Sequence, residues 1–190
     1  MNIANKITIV RILMIPLFLV FLLMQSIPFH NWIAFTIFLV ASLTDIFDGY
    51  IARKYDLVTN FGKFMDPLAD KLLVCSALIG LIELGRIPAW MVILIIFREF
   101  VISGFRLVAS DNGVVIAASF WGKLKTIVQI VMVHMLIIVD DFSAMVYWLI
   151  KIDLLVFFRI LTIITTWLAI ALTIISLVDY LVKNWKVMKE

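Results

Sequence analysis

Apolar residues run through this chain in long, nearly unbroken blocks, without the short alternation that marks half-buried strands. The blocks fall at roughly 7–26, 32–52, 67–84, 88–110, 122–140 and 154–182. Each reaches or approaches the ~20 residues that an α-helix needs to cross a bilayer core. The last is long enough to tilt or to extend beyond it. The pattern predicts an all-α integral membrane protein with six transmembrane helices; the charged residues, not the apolar ones, give the expectation of a polar cavity among them that faces the cytoplasm. Spans and short loops use nearly all of residues 1–190, so the chain is read as a single membrane domain.

Composition agrees with that reading. Hydrophobic residues make up 65% of the chain and charged residues 15%, and the mean hydropathy is +1.16; an ordinary soluble domain is excluded. Lys6 and Arg11 flank the first block, but no small-residue cleavage pattern follows, so it is read as a retained helix and not a signal peptide. The single Cys75 cannot form an internal disulfide and is assigned to packing in the third span. Trp32, Trp90, Trp121, Trp148, Trp167 and Trp185 mostly flank the blocks, as an aromatic belt does. No repeat or low-complexity segment is evident.

Charge orients the chain. In the six-span arrangement one side carries Lys6, Arg11, Arg53, Lys54, Lys63, Lys71, Arg106, Lys123, Lys125, Lys183, Lys186 and Lys189. The other carries Arg86, Lys151 and Arg159 beside Glu83, Asp140, Asp141 and Asp153. The positive-inside rule makes the first side cytoplasmic, with both termini there, in the cell membrane. A face that basic suits anionic lipid headgroups; no nucleic-acid partner is expected.

Ionisable residues near lipid are costly, so those that occur there are candidates for function. Asp45 and Asp48 lie one turn apart at the end of the second block, and Asp66 and Asp70 one turn apart at the start of the third. Each pair projects from one helix face, and the loop 54–65 can bring the pairs together. Two carboxylates about 5.5 Å apart at an effective dielectric of about 20 repel by roughly 3 kcal/mol. Four together need raised pKa values or cations. Mg²⁺ or Mn²⁺, hard ions that take oxygen ligands, fit best; His30 and His134 lie in separate regions and make no zinc set. Between the acids, Gly49 and Ala52 leave one helix face nearly bare, and Arg53 offers a planar fork for phosphate oxygens. Gly62 is expected to break the connecting loop. Plainer explanations exist for single residues: Asp66 as an N-cap before Pro67, Asp70 as a first-turn acid, Gly49 and Ala52 as a helix contact. They do not account for the whole group.

The segment fits D-x2-D-G-x2-A-R-x8-G-x3-D-x3-D at all eight fixed positions. In this it resembles the CDP-alcohol phosphotransferases, whose members displace CMP from a CDP-linked donor with an alcohol. The resemblance implies two divalent metals, with Asp45, Asp48 and Asp66 as ligands. Asp70 would touch the second metal and act as general base, although a carboxylate fully bound to metal is a weak base. Gly49, Ala52, Arg53 and Gly62 would border the cytidine diphosphate. Asn5, Thr8 and Arg11 recur every three residues on one helix face and resemble the N-x2-T-x2-R opening of relatives, beside the nucleotide and metal. The alternative for them is an interfacial helix with snorkelling cations. Homodimers are common among such relatives, and a two-fold dimer is the general default.

The acceptor is read from other charges. Arg98 and Arg106, eight residues apart, lie close to one face of the fourth span. Lys123 and Lys125 open the fifth. Up to four cations facing the aspartates suit an acceptor that carries its own phosphate. Adjacent helical residues point apart, so Arg98 is not expected to be satisfied by Glu99; Lys123 and Lys125 could instead be positive-inside anchors. The strings Phe97-Arg98-Glu99-Phe100 through Arg106 and Gly122-Lys123-Leu124-Lys125-Thr126 resemble the family branch that joins glycerol 3-phosphate to CDP-diacylglycerol. Serine or inositol phosphate as acceptor, or a divalent-cation transporter, are the competing readings. Against transport, the acids cluster at one membrane face and no repeated halves are seen.

Overall fold

In a computed structural model the chain forms six α-helices: α1 (Ile3–Leu23), α2 (His30–Lys54), α3 (Asn60–Glu83), α4 (Ala89–Asp111), α5 (Phe120–Ile150) and α6 (Leu155–Asn184). The structure describes residues 3–54, 59–111, 113–114, 116 and 119–185, and side chains among these except 3–4, 45–54, 60–61 and 63–64. No strand occurs among the described residues.

Side-chain contacts set the helix directions. Thr8 meets Asp66 and Leu22 meets the backbone at Gly80, so α1 and α3 run parallel. Arg98 meets Ser176 and Phe105 meets Tyr180, so α4 and α6 do too. Phe38 meets His134 edge to face while Asn31 bonds Asp141, which makes α2 antiparallel to α5. Phe142 against Phe158 and Asp140 against Arg159 set α5 antiparallel to α6, and the short connection 24–29, with Phe18 against Phe38, turns α2 back along α1. The result is an up-and-down bundle in which α1, α3 and α5 begin at one end. Their unsatisfied N–H groups and positive dipole ends therefore point the same way.

The buried core joins all six helices through Phe18, Leu22, Phe38, Leu78, Ile95, Met132 and Ile170. Gly80 allows the α1–α3 approach, because a Cβ there would stand 2.8 Å from Leu22 Cδ2. Outward, Leu13, Leu17, Ile93, Phe100, Ile163 and Ile164 are exposed. Apolar residues outside and polar ones buried (Arg11, Arg98, Lys125, Gln129) are the arrangement of a protein solvated by lipid. Residues Asn5–Leu23, Phe120–Ile150 and Leu155–Asn184 are long and apolar enough to cross a bilayer. The apolar part of α2, His30–Thr44, is shorter, and α3 and α4 each carry several ionisable residues. The chain is a membrane protein with at least these three apolar helices.

Two boundaries differ from the sequence pattern. The third helix begins at Asn60, not near 67. Thr59 is its N-cap and accepts the Gly62 N–H at 3.0 Å. Gly62 thus lies in the first turn instead of breaking a loop, and Pro67 sits inside the helix. Asp66 is no N-cap, which removes the plain explanation for it. The fifth helix continues past Asp140 and Asp141 to Ile150. Asn31 Nδ2 donates to Asp141 Oδ2 at 2.6 Å, and Arg159 Nη2 donates to Asp140 Oδ1 at 2.8 Å. Partnered acids do not have to end a span.

The end of the bundle opposite these helix starts is closed by Arg86. After α3, Gly85 takes φ 67°. Its N–H donates to Ile82 O, and the Arg86 N–H donates to Leu81 O at 2.9 Å, a Schellman turn that requires a left-handed residue. The turn aims Arg86 at α5, where Nη1 donates to Leu136 O and Ile137 O at 3.0 and 2.5 Å; Nη2 donates to Asn31 Oδ1 at 3.3 Å. Burial lowers the Arg86 pKa, only partly opposed by the nearby Asp140 and Asp141 carboxylates; a guanidinium nevertheless stays charged. Arg86→Ala should lower unfolding stability in detergent by about 2–3 kcal/mol, the scale of hydrogen bonds from a charged donor. Turnover per folded molecule should not change. Equal denaturation midpoints for variant and parent would show that the clamp is dispensable.

Candidate active site

The site builds up from the first turns of α1 and α3. On α1, Asn5, Thr8 and Arg11 share one face, and all are buried, with Arg11 fully so. Thr8 Oγ1 donates to Asp66 Oδ1 at 2.6 Å. Thr59 Oγ1 donates to Asn5 Oδ1 at 2.9 Å. Gly62 fits under this group: a Cβ there would lie 3.3 Å from Asn5 Oδ1 and 3.4 Å from Asp66 Oδ2. The three-residue repeat at the start of the chain and the third aspartate therefore form one constellation. Asp45, Asp48, Gly49, Ala52 and Arg53 belong to the last turns of α2; their side chains lie outside the described residues. Among the described residues no three His, Cys, Asp or Glu side chains gather as a metal set, and only two of the four aspartates are represented there.

One turn beyond Asp66 on α3, Asp70 lines a small pocket with Lys71, Glu99, Lys125, Thr126 and Gln129. Lys125 is only 2% exposed. Its ammonium pairs with Glu99 Oε1, and its two other N–H bonds are available to a ligand. Arg98 also reaches Glu99, at 3.1 Å from Nη1 to Oε1, although the two are neighbours in sequence. The expectation that they point apart fails: Glu99 Oε1 lies between the Arg98 guanidinium and the Lys125 ammonium of α5. Arg98 Nε donates to Ser176 Oγ at 3.1 Å. A Cβ at Gly122 would stand 3.2 Å from Arg98 Nη2, so the glycine of the Gly122-Lys123-Leu124-Lys125 string makes room for this arginine. Arg98 thus braces α4, α5 and α6 and holds Glu99 in place.

The other two proposed cations are placed differently. Arg106 is exposed, its guanidinium carbon 5.7 Å from the centre of the Tyr180 ring. Lys123 is exposed on the first turn of α5. The structure brings Lys125 to Asp70 and does not put Arg106 or Lys123 in that pocket.

Sequence reasoning missed Thr59, Lys71, Glu99 and Gln129. Thr59 was readable as a cap placed three residues before Gly62. Gln129 was readable as a polar residue one turn after Lys125 in an apolar helix. Glu99 was set aside by treating helix neighbours as divergent, a rule that long side chains escape. A larger cavity, about 650 Å³, lies at the opposite end between Phe29, Trp32, Asp141 and Met145. Its carboxylate is engaged by Asn31, and none of the candidate site residues lines it.

Residues 1–175 match the CDP-alcohol phosphatidyltransferase family. The chain is 44% identical over 200 residues to the CDP-diacylglycerol–glycerol-3-phosphate 3-phosphatidyltransferase of Bacillus subtilis (strain 168), with 99% of this chain and 97% of the relative covered. It is 38% identical over 180 residues to the protein of the same name from Rickettsia typhi (strain ATCC VR-144 / Wilmington), with 94% of each covered. A polar centre at one end of a lipid-solvated bundle, a family match over most of the sequence and relatives aligned nearly end to end agree: the chain belongs to the CDP-alcohol phosphatidyltransferase family.

Proposed function

We propose that the protein transfers the phosphatidyl group of CDP-diacylglycerol to sn-glycerol 3-phosphate, giving phosphatidylglycerophosphate and CMP, at the end of the bundle where α1, α3 and α5 begin. The observation that carries this reading is the shared pocket of Asp70 and Lys125. A carboxylate that can take a proton and a buried cation that can hold a phosphate stand together there, as an acceptor bearing both hydroxyl and phosphate requires. The full-length relatives named for this reaction support it.

All six helices are read as crossing the membrane, with the site and both termini on the cytoplasmic side. The basic residues collected at that end support the orientation. In the middle of α4, Arg98 is buried and Glu99 pairs with buried Lys125 of α5, which spares that helix from exposing these charges to lipid; Glu83, Arg106 and Asp111 are exposed at or near helix ends. The donor's acyl chains then stay in the bilayer while its headgroup enters the polar end, where three helix N-termini favour an anion. A homodimer is the assembly we expect.

Divalent metal fits the residues. Asp66 is half-buried, takes a hydrogen bond from Thr8 on one oxygen, and has its other oxygen beside side-chain-free Gly62. The all-oxygen set suits Mg²⁺ or Mn²⁺. Asp45, Asp48 and Asp66 would hold two ions with Asp70 adjoining. When bound, such ions neutralise the diphosphate and stabilise departing CMP. The protein's own groups do the rest. Lys125 holds the acceptor phosphate, and Glu99, braced by Arg98, holds Lys125. Asp70 takes the proton of the acceptor's primary hydroxyl as its oxygen bonds to the phosphatidyl phosphorus and the phosphorus–oxygen bond to CMP breaks. Arg53, Gly49 and Ala52 border the cytidine diphosphate by family resemblance, and Arg106 and Lys123 add positive potential near the entrance.

The test is CMP release by purified protein in detergent from CDP-diacylglycerol and Mg²⁺, with glycerol 3-phosphate, serine and inositol phosphate offered in turn. Release that depends on glycerol 3-phosphate alone is expected; release with another acceptor instead would reassign the substrate. Thr8→Val keeps side-chain shape but removes the donor to Asp66. It should weaken Mn²⁺ binding about 10- to 100-fold, as loss of a group that orients a metal ligand does. Thr8→Ser should keep most of the affinity in the same titration. An unchanged Mn²⁺ isotherm for the valine variant would remove Thr8 from the metal site.

A further inference from the structure

Gln129 has no part in the chemistry described so far, yet it lies at the reaction pocket. It stands one turn after Lys125 on the same face of α5 and lines the pocket that holds Asp70. It is 3% exposed, and its Nε2 is buried without a hydrogen-bond partner. A buried amide donor left unpaired is costly, so such a group calls for a partner that arrives with a ligand. The free space in the pocket is about 20 Å³, room for one water-sized group. Apart from the ionic groups, Val74, Cys75 and Ile130 make its walls apolar. Such walls suit one uncharged hydroxyl beside Gln129, the acceptor's charge being taken up by Lys125.

Glycerol 3-phosphate carries three functional groups. On the reading above, which this inference rests on, Asp70 receives the primary hydroxyl and Lys125 the phosphate. The secondary hydroxyl between them is left. We propose that Gln129 donates its amide N–H to that secondary hydroxyl and thereby selects a vicinal diol phosphate as acceptor. The residue positions and discriminates; it transfers no proton.

The experiment compares kcat/KM for sn-glycerol 3-phosphate and 3-hydroxypropyl phosphate, which lacks only the secondary hydroxyl, using the full chain with CDP-diacylglycerol and Mg²⁺. The parent should prefer glycerol 3-phosphate by at least about tenfold, since a site built around a substrate hydroxyl rejects the analogue without it. Gln129→Met, which keeps the length and loses the donor, should bring the two acceptors to near parity while the KM for the lipid donor stays put. Gln129→Asn, with the amide one methylene short, should show an intermediate preference. A purely structural glutamine would lower both acceptors alike. Equal use of both acceptors by the parent, or full preference retained in Gln129→Met, overturns the assignment. Should the methionine variant fail to fold, the parent comparison and Gln129→Asn still decide it. None of these results touches the Asp70 and Lys125 reading, which falls separately if Asp70→Asn turns over normally.

Discussion

Asp70→Asn should lower kcat by about 10²- to 10⁴-fold, the range that a positioned general base contributes, with the KM of each substrate within a few-fold of the parent's. The substitution is nearly isosteric, so packing between α3 and the pocket is kept. What it removes is the ability to accept a proton. Asp70 is half-buried beside Lys71, Glu99 and Lys125, so a neutral amide leaves that pocket with surplus positive charge. That surplus should tighten acceptor phosphate binding slightly rather than weaken it, which makes a kcat effect without a KM penalty diagnostic. Mn²⁺ titration of the same variant separates base from ligand. Retained metal affinity with lost turnover assigns the proton; loss of both in parallel makes Asp70 chiefly a metal ligand. Turnover close to the parent's would exclude either role.

Much of this architecture was legible in the residues. Six apolar blocks predicted six helices, because a helix in lipid needs a continuous apolar surface and the blocks supply it without ambiguity of period. The ends were less legible. Residues 59–65 read as part of the connecting loop, yet 60–65 form the first turns of α3, because Thr59 caps it and Asn5 receives the cap hydroxyl. That partner lies on another helix, more than fifty residues away in sequence, so no local pattern contains it. The extension of α5 past Asp140 has the same origin in Asn31 and Arg159.

The site divides in the same way. Spacing alone put Asp66 and Asp70 on one face and grouped Asn5, Thr8 and Arg11 on another; the bond from Thr8 to Asp66 joins two helices and is not contained in either spacing. Spacing did not sort the four cations. Arg98 and Arg106 share a helix face, yet one is buried against Ser176 and the other lies exposed over Tyr180. Gly122, where a Cβ would stand 3.2 Å from Arg98 Nη2, leaves room for the buried guanidinium. Lys123 and Lys125 are two residues apart, so a helix turns them to different faces, and only Lys125 enters the bundle.

Lys125→Met should therefore raise the KM for glycerol 3-phosphate by about 10- to 150-fold, the equivalent of losing a charge-assisted hydrogen bond of about 1.5–3 kcal/mol. The KM for CDP-diacylglycerol should move little. Arg106→Ala should give a smaller rise, because an exposed cation acts through a screened field. Methionine matches the lysine stem, so the packing that buries it is kept, and Arg98 still neutralises Glu99 at 3.1 Å. Lys125→Met/Glu99→Gln removes both charges of the pair and restores the local balance. If Lys125 binds phosphate, the double variant recovers stability but not acceptor affinity. If Lys125 serves only to neutralise Glu99, the double variant recovers both, and steady-state kinetics beside a denaturation curve on the three proteins tells which holds.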